Sequence, residues 1–153
     1  SRININEYCS SYNCRINKYK INNIFRNFLF LISIMSSFNF KNNNSFNKRF
    51  NESHRIMKKY NKKIPIIVEK NDKYNDLPDI DRNKYLVPAD TTMAEFMYVI
   101  RKRIQITPDK SIFLFVENLG MVPTSYTIKQ IYEEAKDKDG FIYIKYCGES
   151  TFG

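Results

Sequence analysis

The sequence predicts a small α+β domain: a four-stranded sheet crossed by one helix and preceded by helical segments. Three observations lead there. Short β-branched or aromatic runs alternate with segments of helical period, as strands and helices do. Turn-forming residues punctuate these segments at close intervals from residue 45 onward. Asparagine is unevenly distributed, with thirteen in the first 51 residues and five in the rest, so an asparagine-rich leading region is set apart from a denser body.

SRININEYCSSYNCRINKYKINN, the opening stretch, has neither helical nor strand period and is expected to be disordered or marginal. The apolar run from Phe28 to Met35 is too short to span a bilayer. Basic residues precede it, as in the apolar region of a signal peptide. The other reading is an upstream-derived extension, with the chain proper beginning at Met35. The expected organisation is therefore residues 1–34 as a disordered or non-native extension, 35–146 as the domain with its N-terminal helices, and 147–153 as a flexible tail.

SFNKRFNESHRIMKKY aligns Phe46, Phe50, Ser53, Met57 and Tyr60 on one helical face, with Ser45 placed to cap it. IPIIVEK is a β-branched run and reads as a buried strand. The turn-rich NDKYNDLPDID joins it to NKYLVP, a second short strand closed by Pro88. Thr92 and Glu95 form a capping box that opens an amphipathic helix through Ile104. SIFLFVEN reads as a strand, TIKQIYEEAKD as a short helix, and FIYIKY as a last, alternating strand. A hairpin, a crossing helix and two more strands make the order of a β-grasp, the ubiquitin-like fold.

The net charge is +9, of which +4 lies in residues 1–34. The rest favours acidic partners or anionic lipid surfaces without demanding nucleic acid, and no aromatic base-stacking motif is present. Three cysteines (Cys9, Cys14, Cys147) and one histidine, His54, make neither a disulfide framework nor a zinc site. The domain reads as reduced and intracellular. Cys147 has no evident base or oxyanion-stabilising group beside it, and four glycines form no phosphate loop, so no catalytic residue, metal or cofactor is expected. Ile67, Leu86, Val99 and Phe141 would each be unremarkable as core. The basic residues of the N-terminal helices suit either a solvated face or contact with an anionic membrane or a cytoskeletal polymer.

KKIPIIVEK, LPDIDRNKYLVPAD, FMYVIRKRI, SIFLFVEN, IYEEAKDKDGFIYIKY and the terminal GESTFG occur in this order. From Ser45 to Gly153 the chain resembles the ubiquitin-like autophagy modifiers, the GABARAP type of lipid-conjugated protein. The resemblance implies that E1-like and E2-like enzymes activate Gly153 and join it to phosphatidylethanolamine. Glycine, having no Cβ, suits passage of an acyl group through a narrow enzyme channel. It also implies recognition of peptides of the form aromatic-x-x-aliphatic. Carried over by motif, one pocket is walled by Glu52, Ile56, Pro65, Ile67, Lys84, Leu86 and Phe141. The other uses Tyr85, Val87, Pro88, Phe96, Val99 and Ile100. Lys63, Arg82, Lys84 and Arg103 are placed to attract acidic residues flanking the peptide. Thr91 stands where the family has an aliphatic residue, which makes the second pocket more polar. The resemblance points to a monomeric modifier rather than an enzyme, cytoplasmic and associated with autophagosomal membranes. The Asn/Lys/Ile/Tyr/Phe bias resembles an AT-rich genome, such as an apicomplexan's, where the membrane concerned would include the outer plastid membrane. The alternative is an unconjugated adaptor of the same fold that binds peptides or filaments.

Overall fold

The computed structural model describes residues 37–71 and 77–148. The expectations for residues 1–34 and for Gly153 lie outside the described residues. In chain order the elements are α1 (Asn39–Asn43), α2 (Phe46–Lys59), β1 (Lys63–Lys70), β2 (Lys84–Pro88), α3 (Met93–Ile104), β3 (Ile112–Val116), α4 (Ile128–Ala135) and β4 (Ile142–Gly148).

The four strands form one mixed sheet in the order β2-β1-β4-β3. β1 pairs antiparallel with β2 and parallel with β4, and β3 pairs antiparallel with β4. β2 and β3 are therefore the edges. The two central strands are covered on both sides, and strand alternation sorts their side chains into two cores. Ile64, Ile66, Val68, Ile142, Ile144 and Tyr146 pack with Phe96, Ile100 and Ile104 of α3 and with Ile128 and Ile131 of α4. A smaller cluster of Phe38, Phe40, Ile67, Phe141 and Tyr143 occupies the other face. Each such aliphatic or aromatic side chain fully removed from water contributes about 1.5–3 kcal/mol before entropy is counted.

Local chemistry sets the helix starts. Thr92 accepts from the Glu95 amide while Glu95 accepts from the Thr92 amide, and Thr127 and Gln130 repeat the device ahead of α4. Ser45 accepts from the Lys48 amide and caps α2. Gln105, at φ 53, ends α3 in the left-handed region.

Every residue of β4 is buried, because the strand is central. Two expectations differ from the structure. β4 extends to Gly148, where Ile112 pairs with Gly148 and Phe113 with Cys147, so the first two residues assigned to a flexible tail belong to the sheet. Neither residue carries a bulky or charged side chain to stop the ladder. The predicted apolar face of α2 buries only Ser53 completely; Phe46, Phe50 and Tyr60 remain exposed. The polar side chains of α2 supply much of its attachment instead.

That attachment is a buried polar network. Asp139 is fully buried and accepts from Arg49, from the Tyr143 hydroxyl at 2.5 Å and from the Phe141 amide at 2.9 Å. The Ser53 hydroxyl reaches the Asp139 carbonyl. Burial and the adjacent Asp139 carboxylate push the Tyr143 phenol well above its ordinary value, so it stays protonated as a donor. On the same face Lys41 bridges Glu117 at 2.6 Å and Asp137 at 2.8 Å, with its ammonium 4.2 Å from the Tyr143 ring centre.

Candidate functional site

The edge position of β2 organises the site. Its inner side pairs with β1, and among the described residues no strand pairs with its outer side. An extended peptide has there a row of backbone donors and acceptors to join. Alternation then divides the β2 side chains between the two faces of the sheet.

Lys84 and Leu86 face the side covered by α2. Lys84 pairs with Glu52 of α2 at 2.7 Å, and its ammonium lies 5.1 Å from the Phe40 ring centre. Ile56 and Leu86 are half-buried and stand at the surface between helix and strand. Pro65, Ile67 and Phe141 are buried beneath them. Ile67 and Phe141 are 0% and 1% exposed and belong to the core on this side, while Glu52, Ile56 and Leu86 are half-buried and Lys84 is exposed. Sequence reasoning missed Phe40, which packs edge-on against Phe141 with ring centres 5.4 Å apart. The aromatic pair in SFNF was its only trace in the sequence.

Tyr85 and Val87 face the side covered by α3. Tyr85 meets Phe96 edge-to-face at 5.7 Å between ring centres. Phe96 and Ile100 are at most 1% exposed and belong to the core, while Val99 is 43% exposed and Pro88 is exposed. The Tyr85 hydroxyl is buried and has no hydrogen-bond partner among the described residues. Burial raises its pKa, opposed by the nearby charge of Arg103, so the hydroxyl stays neutral. Thr91 is half-buried, and its amide and carbonyl are used by Pro88 and Ile128.

The four expected cations are not equivalent. Lys84 is held by Glu52, and Arg103 is 3.3 Å from Asp81 with both side chains largely exposed. Lys63 lies 6.0 Å from the Tyr60 ring centre, and Arg82 is exposed. All four are on or next to the hairpin and α3, near the open edge, while Gly153 lies outside the described residues.

A mixed sheet of order β2-β1-β4-β3, crossed by α3 and preceded by two helices on the opposite face, defines a ubiquitin-like protein. A family model described as "Autophagy protein Atg8 ubiquitin like" matches residues 48–153. The chain belongs to this Atg8 family. It is 52% identical over 119 residues to autophagy-related protein 8d of Arabidopsis thaliana, covering 78% of this chain and 98% of that protein. It is 53% identical over 114 residues to autophagy-related protein 8 of Candida glabrata, covering 74% of this chain and 95% of that protein. The crystal structure of Trypanosoma brucei ATG8 superposes with a TM-score of 0.71 at 36% identity, covering 77% of this chain and all of that one.

Proposed function

We propose that this chain is a ubiquitin-like modifier whose Gly153 carboxylate becomes amide-linked to phosphatidylethanolamine, and that β2 then recruits aromatic-x-x-aliphatic peptides to the membrane. Amide formation from a carboxylate and an amine releases water and needs activation. An E1-like enzyme supplies it, and an E2-like enzyme carries the acyl group as a thioester. The protein itself is the acyl donor and performs no catalysis. The membrane is autophagosomal, or the plastid's outer membrane if the source is apicomplexan.

The observation that carries the reading is the open β2 edge, whose side chains alternate between two sheet faces of different character, in a chain of the Atg8 family. The α2 side has a charged rim of Glu52 and Lys84, suited to the edge of an aromatic ring. The α3 side offers Val99, Pro88 and Tyr85 to an aliphatic side chain. The GESTFG block, which resembles the family's conjugation segment, is the second support, because glycine has no Cβ and presents an unhindered carbonyl. Gly153→Ala in cells with intact conjugation enzymes is expected to lower membrane attachment sharply and to remove the phosphatidylethanolamine-bearing species from the intact mass. Membrane attachment at the wild-type level would show that the lipid bond is not formed here and would favour an unconjugated adaptor.

A further inference from the structure

We propose that Thr107 is a phosphorylation site, written by a proline-directed serine/threonine kinase that reads a basic residue three positions beyond the acceptor. The stretch concerned is Thr107-Pro108-Asp109-Lys110, in the loop between α3 and β3. Of the five prolines in the chain only Pro108 follows a serine or threonine, so the arrangement occurs once. Residues 107–111 are all exposed, and none of them belongs to either core. Other hydroxyls are committed to the fold. Those of Ser45, Thr92 and Thr127 cap helices, and that of Ser53 is buried against the Asp139 carbonyl. The Thr107 hydroxyl instead bonds at the surface to Asp109, which holds that carboxyl below its usual range.

The flanks of the acceptor select the class of enzyme. Proline has no N–H and a fixed φ, so the pocket that receives it must leave no carbonyl waiting for a donor. Lys110 is exposed at the third position, where an anionic group of the enzyme can pair with it. A turn has to open first. The Lys110 amide donates to the Thr107 carbonyl at 3.1 Å, and the Arg101 guanidinium donates to the Lys110 and Thr107 carbonyls at 2.6 and 3.3 Å. These bonds lie at the surface, so breaking them leaves the sheet and both cores undisturbed. In the transfer, Thr107 Oγ1 attacks the γ-phosphorus of ATP. The new O–P bond forms as the bond to ADP breaks, and the hydroxyl proton passes to a carboxylate of the kinase. The product carries an added charge of about −1.5 to −2. Asp109 and the carboxyl end of α3 oppose it, while Arg101 and Lys110 offset it, so the fold is kept. The modification requires neither conjugation at Gly153 nor the β2 edge, so it survives the failure of either.

Incubation of the 153-residue chain with ATP and a purified cyclin-dependent kinase tests this. Intact mass is expected to show one added phosphoryl group, and fragmentation to place it on Thr107, with the circular dichroism spectrum unchanged. Thr107→Val should take up none. Pro108→Ala and Lys110→Ala should each lower kcat/KM for phosphorylation about tenfold or more, because each removes one feature the enzyme reads. All three substitutions are at exposed positions, and circular dichroism checks that the variants fold. A folded chain that takes up no phosphate would overturn the proposal; if a synthetic peptide of residues 101–113 is phosphorylated under the same conditions, the closed turn is the reason. Phosphate on any other residue, or Lys110→Ala phosphorylated at the wild-type rate, would overturn it equally.

Discussion

Gly140 carries a requirement that only contacts reveal. Its φ of +91° is one that side chains with a Cβ rarely adopt, and an added Cβ would stand 2.6 Å from the Ser53 hydroxyl oxygen. The turn must also deliver the buried Asp139 to Arg49, Tyr143 and Ser53, which locks α2 to the start of β4. Strain and collision act together, so Gly140→Ala is expected to destabilise the fold by about 2–4 kcal/mol. Urea unfolding measures it, and a loss under about 0.5 kcal/mol, the size of a neutral surface change, would show that the turn relaxes freely. Tyr85 illustrates the converse: its buried hydroxyl, without a partner among the described residues, costs stability at a position beside the proposed peptide edge.

α1 is five residues long and has no side-chain cap of its own. A helix so short is not stable alone. Its first amides, those of Asn39 and Phe40, are taken at 2.8 Å each by the two carboxylate oxygens of Glu69, in the middle of the sheet. Lys41 completes the attachment through Asp137 and Glu117. For Lys41, burial works against the charge, but hydrogen bonds to Asp137 and Glu117 outweigh it and raise the pKa. For Asp137, burial works toward the neutral form and is outweighed by Lys41, by the Asp139 amide and by the charge of Arg49, so the pKa falls. A carboxylate depressed on folding stabilises above its unfolded value of about 3.9 and loses that contribution as pH drops through the folded value. The raised Lys41 contributes below about 10.4 and loses its part only as pH rises beyond its folded value. The bridge is therefore at full strength near neutrality. Amide exchange at Asn42, whose amide donates to the Phe38 carbonyl, should lose protection below about pH 4, while Phe96 in α3 keeps its own. Lys41→Met should weaken α1 protection at neutral pH. Unaltered Asn42 protection down to about pH 3 would show that the bridge does not hold α1.

Across the molecule, the two sheet faces give β2 two unlike neighbours, and the surplus of positive charge surrounds it. An acidic-flanked aromatic-x-x-aliphatic peptide is therefore expected to associate faster at low salt, with dissociation much less affected. Replacing Tyr85 and Leu86 together by Ala removes one half-buried side chain from each face of the strand and should abolish measurable binding by calorimetry. Retained affinity in a folded double variant would move the peptide site away from β2.

Much was legible in the chain. The capping boxes at Thr92 and Thr127, the β-branched run of β1 and the helical period of α3 are local signals, and each element formed where its residues required. The family blocks also located the β2 motif, because KYLVP carries its alternation within five residues. Other features arise only when distant segments meet. Glu69 caps a helix thirty positions earlier, Asp139 joins α2 to β4, and Ile67 and Phe141 sink into the core below the surface they were expected to line. The exposure of Phe46 and Phe50 belongs with these, since a helical stripe shows which side chains align but not whether anything covers them. Period and capping depend on neighbours along the chain; burial, charge pairing and an open strand edge depend on what folding brings alongside.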